Sequence, residues 1–322
     1  MVKLPPSPFR LPPSANRRLA MVLLTWNGRE DTLACLESLE AAGHPAEGER
    51  VLVVDNGSED GTLEAVKGRF PWAERIGNAA NLGFAGGNNV GIRRALDGGA
   101  EYVLLLNNDT LVRAGALPAL VEDLDGHPEA GSAQPVLLAY DGERIDSLGI
   151  RVGFRPGAVD AGAGEPADRA ASAPEEIFGP CAAAALYRAS ALREAGLLDE
   201  GLFAILEDVD LAFRLRLSGF GARLVKSATV LHKRGISGRK TSGDFRRALV
   251  LRNLQVLMWR YWPARSVALC APLWIRWHVL ARALWRRMGR EGDYAAALSA
   301  ARRERAALRA NPRLAQIQRR WL

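Results

Sequence analysis

Cysteine is scarce in this chain, with three residues in 322, at positions 35, 181 and 270, odd in number and without metal-ligand spacing. That excludes a disulfide framework and a zinc ribbon, and the three read as small buried hydrophobes of a reducing compartment. The N-terminus lacks an apolar run. Its opening, M-V-K-L-P-P-S-P-F-R-L-P-P-S, is proline-rich and cannot form the core of a signal peptide. It predicts a disordered tail over residues 1–16 of a chain that is not exported. No internal repeat is visible, and the first apolar run, 19–26, is only strand length. Lysine is missing from residue 244 onward, where 17 Arg face four acids, a balance of +13 that leaves the rest of the chain at −6. An acidic body with a basic end predicts an anionic surface partner for that end.

What is present is an alternation of short apolar runs and helical stretches from residue 19 to about 136, the pattern of βαβ units on a mostly parallel sheet. Strands are predicted over 20–26, 50–54, 74–77 and 102–106. Crossover helices are predicted around Leu33, Leu36 and Leu39, over 88–96 and over 114–124. The stretch 141–174, rich in Gly, Ala and Asp, predicts a hairpin near 145–154 and then a mobile loop. Helices at 188–195 and 208–218 and two short strands at 222–225 and 229–231 follow. From 244 the pattern is helical, interrupted at Pro263, Pro272 and Gly289. A sheet of this kind places its ligand beyond the carboxyl ends of its strands, where Asn27, Asp55 and Asp109 stand.

Four segments end or open these elements with polar groups: V-V-D-N-G-S-E-D-G (53–61), L-L-L-N-N-D-T (104–110), L-E-D-V-D-L (206–211) and V-L-H-K (230–233). Asp55 and Asn56, after a buried strand, are suited either to accept from a nucleotide or to make an Asx turn that caps the next helix. Asn81 to Asn89, including Gly86 and Asn88, reads as a permissive loop feeding a helix or as a loop whose amides meet a diphosphate. Asn107 and Asp109 close a buried strand, and the carboxylate is a hard ligand for a divalent cation. Glu207, Asp208 and Asp210 at a helix start suit the dipole, and an acid there can also serve as a general base. His232 at a strand end reads as a structural residue or as a ligand. Lys233 and Arg234 are placed to meet a leaving diphosphate.

In this order the four segments resemble the inverting family 2 glycosyltransferases of GT-A fold, and within them a bacterial branch that includes rhamnosyltransferases. The resemblance covers roughly residues 19 to 260. It implies an α/β GT-A domain over 17–243, a nucleotide pocket built by Thr25, Asn27 and Asp55, and a Mg²⁺ or Mn²⁺ site of Asp109 and His232, the latter in an H-x-x-x-S context ending at Ser237. It implies Asp208 as the base of a single displacement, and Gly179 in the small-residue segment below the acceptor. The donor would be a dTDP-, UDP- or GDP-sugar, and the acceptor a hydroxyl on a lipid-linked or polysaccharide glycan of the cell envelope. The Asn-Asn-Asp run departs from the family's acidic pair and leaves one carboxylate.

Residues 244–322 form the expected basic helical extension. Five of the eight tryptophans lie at 259, 262, 274, 277 and 285, and on a helical wheel Leu273, Trp277, Leu280, Leu284 and Met288 share one arc, with Arg276, Arg282, Arg286, Arg287 and Arg290 clustered opposite. A central Arg would cost a membrane-spanning helix about 2.5–3.5 kcal/mol. A helix in the headgroup plane of an anionic membrane, or one packed on the catalytic domain, fits better. The enzyme is thus expected to be cytoplasmic and peripheral at the inner face of the plasma membrane. The competing readings are a sugar nucleotidyltransferase, which wants a basic Gly-rich loop where T-W-N-G-R-E-D stands, and an inactive protein that binds membrane or nucleic acid.

Overall fold

The computed structural model describes residues 18–233 and 243–322. The expectations for Arg234, for Ser237 and for residues 1–16 lie outside these. The chain begins with β1 (Leu19–Thr25), β2 (Glu49–Asp55), β3 (Glu74–Gly77) and β4 (Tyr102–Asn107), parallel in the order β3-β2-β1-β4. The central three strands read as unbroken apolar runs because helices cover both faces of the sheet. On one face lie α1 (Arg29–Ala41), α2 (Thr62–Arg69) and α4 (Ala116–Gly126), closing over Met21, Leu23, Leu36 and Leu104. On the other lie α3 (Gly83–Asp97), α5 (Ala189–Ala195) and α6 (Glu207–Ser218), closing over Val22, Val54, Ile92 and Leu211.

Beyond β4 the sheet turns mixed. It continues through β10 (Ala184–Arg188), antiparallel to both its neighbours, then β6 (Ala130–Ala139), β11 (Gly221–His232) and β5 (Thr110–Val112). The chain leaves β1 first toward β2 and later toward β4, so the strand order reverses at β1. Thr25, Asn107 and the residues after them therefore sit at a switch point, where two connections diverge and leave a crevice.

Several sequence expectations change here. The two strands expected at 222–225 and 229–231 are one strand with a register shift between Val225 and Thr229, which bends β11 without ending it. The hairpin expected over 145–154 is split. β7 (Ile145–Ser147) joins β6 in the main sheet, and β8 (Ile150–Val152) pairs with β9 (Ala158–Asp160) in a separate ribbon. The glycine-rich stretch is not a loop, because α3 starts at Gly83. A Cβ on Gly91 would lie 2.3 Å from Val22 Cγ1, and one on Gly87 2.5 Å from Leu24 Cδ1. These glycines, one turn apart, let the helix lie close against β1 and β2.

The C-terminal residues form α7 (Gly243–Tyr261), α8 (Ala264–Leu269), α9 (Ala271–Arg287), α10 (Glu291–Arg309) and α11 (Pro312–Trp321). They do not stand apart from the catalytic body. Phe213 of α6 stacks on Tyr261 at 4.1 Å, nearly parallel, and meets Trp262 edge-on at 5.5 Å. Asp210, 1% exposed, bonds Arg214 at 2.7 Å, Arg260 at 2.9 Å and the Tyr261 hydroxyl at 2.8 Å, so one buried carboxylate joins α6 to α7. Trp262, Trp274 and Trp285 are buried by this packing, and Trp274 meets Trp277 edge-on at 4.9 Å. The outward face instead carries Leu269, Leu273, Ile275, Val279 and Leu280, flanked by exposed Arg265, Arg276 and Arg282. No helix among the described residues is long and apolar enough to cross a membrane.

Candidate active site

The crevice at the switch point opens into a cleft of about 420 Å³. Thr25, Asn56, Asn81, Asn107, Asp109, Glu207, Asp208 and His232 line it, so strands β1, β4 and β11 and helix α6 deliver expected residues to one place. Asn56 organises the wall between β2 and α3. Its amide donates to Asn81 Oδ1 at 3.0 Å and the Gly83 carbonyl at 2.9 Å, and its carbonyl oxygen accepts from Asn78 and from Leu82 N. Below it, Asn108 is held by Thr32 Oγ1 at 3.1 Å and the Gly28 carbonyl at 3.3 Å.

Other expected residues lie elsewhere. Asp55 accepts from Ser58 N at 3.3 Å and from the Ser58 hydroxyl, while Ser58 Oγ accepts from Asn27 N at 2.7 Å. This is the Asx-turn arrangement, one residue behind the cleft wall. Asn88 lies inside α3 and donates to the Phe84 carbonyl at 2.9 Å, and a Cβ on Gly86 would meet Leu82 Cβ at 2.9 Å. Gly179 lets the segment before β10 approach α6, since a Cβ there would be 2.3 Å from Ala212 Cβ. Lys233 is engaged by Asp31 at 2.7 Å and lies over the Tyr140 ring.

His232 is the hinge of an acidic pair. Its Nε2 is 3.2 Å from Asp109 Oδ1, and its Nδ1 is 2.8 Å from Asp146 Oδ2. Burial lowers the imidazole's affinity for a proton, but the bonds to Asp109 and Asp146 outweigh that and raise it to about 9. A divalent cation would fit the pair by displacing the Nε2 proton. Neighbouring ligands of an octahedral Mg²⁺ stand about 3 Å apart, as Nε2 and Oδ1 do, and the Asp146 carboxylate would fix the ring with Nε2 facing the ion. No cluster of three such ligands exists among the described residues, so water or other oxygen ligands would complete the shell. Asp146 was not foreseen from the sequence, because it lies in the weakly patterned stretch after residue 141.

Asp208 is half-buried at the start of α6. Its Oδ2 accepts from Ala182 N at 3.2 Å and its Oδ1 from Val209 N at 2.8 Å. Burial, assisted by nearby Asp160, pushes the carboxyl up to about 6 against these two N–H bonds. Glu207 beside it is raised further, first by burial and then by Asp208, and its Oε2 is buried without a hydrogen-bond partner. Burial thus holds protons more tightly on both adjacent carboxyl groups than on free ones, and the two N–H bonds favour the ionised form of Asp208 alone.

The approach to this pair is strained. Phe203 has φ 63° and ψ −64°, and Ala204 N donates to the Leu202 carbonyl at 2.7 Å, which makes a γ-turn of the rare hand. Ile205 (φ 73°) and Leu206 (φ 71°) continue at positive φ. Such residues cost of order 1–3 kcal/mol each and persist only where their surroundings over-determine them. Phe203, Ala204 and Ile205 line the cleft, as do Phe245, Arg246 and Leu249 from α7. The α7 contribution carried no local sequence signal.

A mixed sheet with a switch-point cleft, a carboxylate–imidazole pair and a separate half-buried acid defines the GT-A class of sugar-transferring enzymes. The family model "Glycosyl transferase family 2" matches residues 21–196, more than half of the chain, which therefore belongs to that family. N-acetylglucosaminyl-diphospho-decaprenol L-rhamnosyltransferase of Mycobacterium tuberculosis is 31% identical over 212 residues, spanning 58% of this chain and 67% of that protein. The structure of GalNAc-T7 with UDP, GalNAc and Mn²⁺ aligns with a TM-score of 0.58 at 14% identity, over 77% of this chain but only 49% of the other. The mannosyltransferase PcManGT from Pyrobaculum calidifontis, in complex with GDP-Man and Mn²⁺, aligns with a TM-score of 0.53 at 17% identity, over 95% of this chain and 79% of its own.

Proposed function

We propose that this enzyme transfers one sugar, with inversion, from a nucleoside diphosphate to a hydroxyl of a lipid-linked or polysaccharide acceptor in cell-envelope glycan synthesis. The observation that carries this reading is the presence in one cleft of Asp208, backed by two N–H groups, and the Asp109–His232 pair. Asp208 takes the acceptor hydroxyl proton as the acceptor oxygen bonds to the sugar's anomeric carbon. The bond from that carbon to the diphosphate breaks, and its electron pair leaves on the nucleoside diphosphate. A divalent cation on Asp109 and His232 would neutralise charge on the leaving group. Thr25, Asn56, Asn81 and Asn107 line the donor side, with Asn27 and Asp55 behind it. Glu207 lines the same cleft beside Asp208, where its carboxyl would face the acceptor or the diphosphate.

Similarity to the mycobacterial enzyme makes dTDP-rhamnose the first donor to test, and a diphospho-polyprenol glycan the first acceptor. The exposed aliphatic and Arg residues on α8 and α9 suit the headgroup layer of an anionic membrane, where such an acceptor resides. This supports a peripheral position at the inner membrane face, with aliphatic side chains in the anchoring role expected of Trp274 and Trp277.

The deciding experiment is a calorimetric screen of dTDP-, UDP- and GDP-sugars with Mg²⁺ or Mn²⁺, followed by transfer assays on any donor that binds. Metal-dependent binding of at least one donor is expected. A protein that binds none of them would fit the rival reading of an inactive binding protein.

A further inference from the structure

The strained segment before Glu207 is held from two sides. Its carbonyls at Gly201, Leu202, Ala204 and Ile205 all accept from side chains of α7, while the carbonyl of Phe203 turns away and accepts from Ala85 N, at the start of α3, at 3.0 Å. On the α7 side two adjacent residues do the work. Arg252 Nη2 donates to Gly201 at 3.0 Å and Leu202 at 2.9 Å. The two N–H groups of the Asn253 amide are spread over Leu202 at 3.0 Å, Ala204 at 2.9 Å and Ile205 at 2.7 Å. Arg252 Nε donates to Asn253 Oδ1 at 2.9 Å, which sets the amide with its nitrogen toward the turn. Asn253 is fully buried and Arg252 nearly so, with its guanidinium over the Trp285 ring at 5.0 Å.

Without these donors the Ala204 and Ile205 carbonyls would lose their side-chain partners and the Leu202 carbonyl would keep only Ala204 N, so the positive-φ turns would lose most of their compensation. What the strained path achieves is placement. It seats Phe203, Ala204 and Ile205 in the cleft wall next to Gly83 and starts α6 with Glu207 and Asp208 facing the same space.

We infer that Arg252 and Asn253 are positioning residues for the transfer reaction. They form a clamp, supplied by the C-terminal helices, that holds residues 201–206 in the conformation that aims Asp208 at the acceptor and packs Phe203 against the donor side. The clamp rests on the function proposed above, with Asp208 as base. It predicts that the C-terminal helices act on turnover rather than only on attachment or solubility.

The test compares wild type with Asn253→Asp, which keeps the volume and the bond from Arg252 but lacks the N–H donors. Hydrogen exchange of the amides at 203–208 should rise while that of β1, β2 and β4 stays unchanged. With donor affinity within about threefold of wild type, kcat should fall by about 100-fold, the scale of a small misplacement of reacting groups. Arg252→Lys should fall between the two. Unchanged exchange at 203–208, or exchange that rises equally across the whole sheet, overturns the clamp. So does a kcat within about threefold of wild type, well short of that expected loss. Should Asn253→Asp fail to fold, Asn253→Ser and Arg252→Lys give the same readings. The exchange arm needs no substrate, so a wild type that transfers no sugar would count against the proposed reaction while the clamp was still decided.

Discussion

Replacing Asp208 with Asn tests the proposed chemistry most directly. The amide is nearly isosteric with the carboxylate. Its carbonyl oxygen can still accept from Val209 N or Ala182 N, so α6 should keep its start. What it loses is the ability to take a proton. General bases supply roughly 10²–10⁴-fold, so kcat should drop by about that factor while donor binding persists. The wild-type pH profile gives a second, independent magnitude. Because burial pushes the Asp208 carboxyl up to about 6 and the ionised form is the active one, activity should fall as pH drops through that value. At pH 5 only about a tenth of the molecules would carry an ionised Asp208, against about nine-tenths at pH 7. The assay is initial-rate transfer from the donor identified by binding, between pH 4.5 and 8, with donor binding measured in parallel. A variant with near-normal turnover, or a wild-type profile flat from pH 5 to 7, would show that another group deprotonates the acceptor.

Asp109→Ala should abolish the metal-dependent part of donor binding and His232→Ala should weaken it. Asp146→Asn should reduce metal affinity by about 10–100-fold through loss of the ring's anchor, and identical metal titrations in all three would return these residues to a structural role. Gly91→Ala should lower stability by about 1–3 kcal/mol, since the added Cβ meets Val22; a melting temperature unchanged from wild type would mean α3 has room to shift. Replacing Leu273, Ile275 and Val279 with Asp should abolish sedimentation with anionic vesicles at low salt but leave neutral-vesicle controls unaltered. If the variant sediments as wild type does, the outer face of α9 is not the attachment surface.

The parts of this protein that could be read from its sequence are those in which chemistry and local pattern coincide. β1, β2 and β4 are apolar runs that stop at Thr25, Asp55 and Asn107, so both the strands and the mouth of the cleft were visible together. The Asn81–Asn89 stretch misled because glycine has two uses that look alike in a sequence. Loop freedom and close approach both call for a missing side chain, and only the contacts of Gly87 and Gly91 with β1 and β2 separate them. β6 carries Gln134, a buried polar residue whose partners, the Ser147 carbonyl and Cys181 N, come from distant segments. Asp146 and Asn253 were invisible for the same reason: each acts through a residue far away in the chain. For the C-terminal helices the sequence leaves a headgroup-plane position and packing on the catalytic domain open, and the structure buries Trp262, Trp274 and Trp285, the first against Phe213 and the last bonded to the Ala248 carbonyl.

The Asp210 network has a consequence for anyone building hybrids of such enzymes. A carboxylate on α6 is shared by guanidinium groups on α6 and α7 and by a phenol on α7. Losing Arg260 and Tyr261 together would leave Asp210 to Arg214 alone among these groups, and a buried charge short of partners is destabilising. Grafting the C-terminal helices of a relative onto this catalytic body would therefore succeed only if positions 210, 214, 260 and 261 travel together. A donor-specificity exchange that swaps the front of the chain alone should keep α6 and α7 from a single parent.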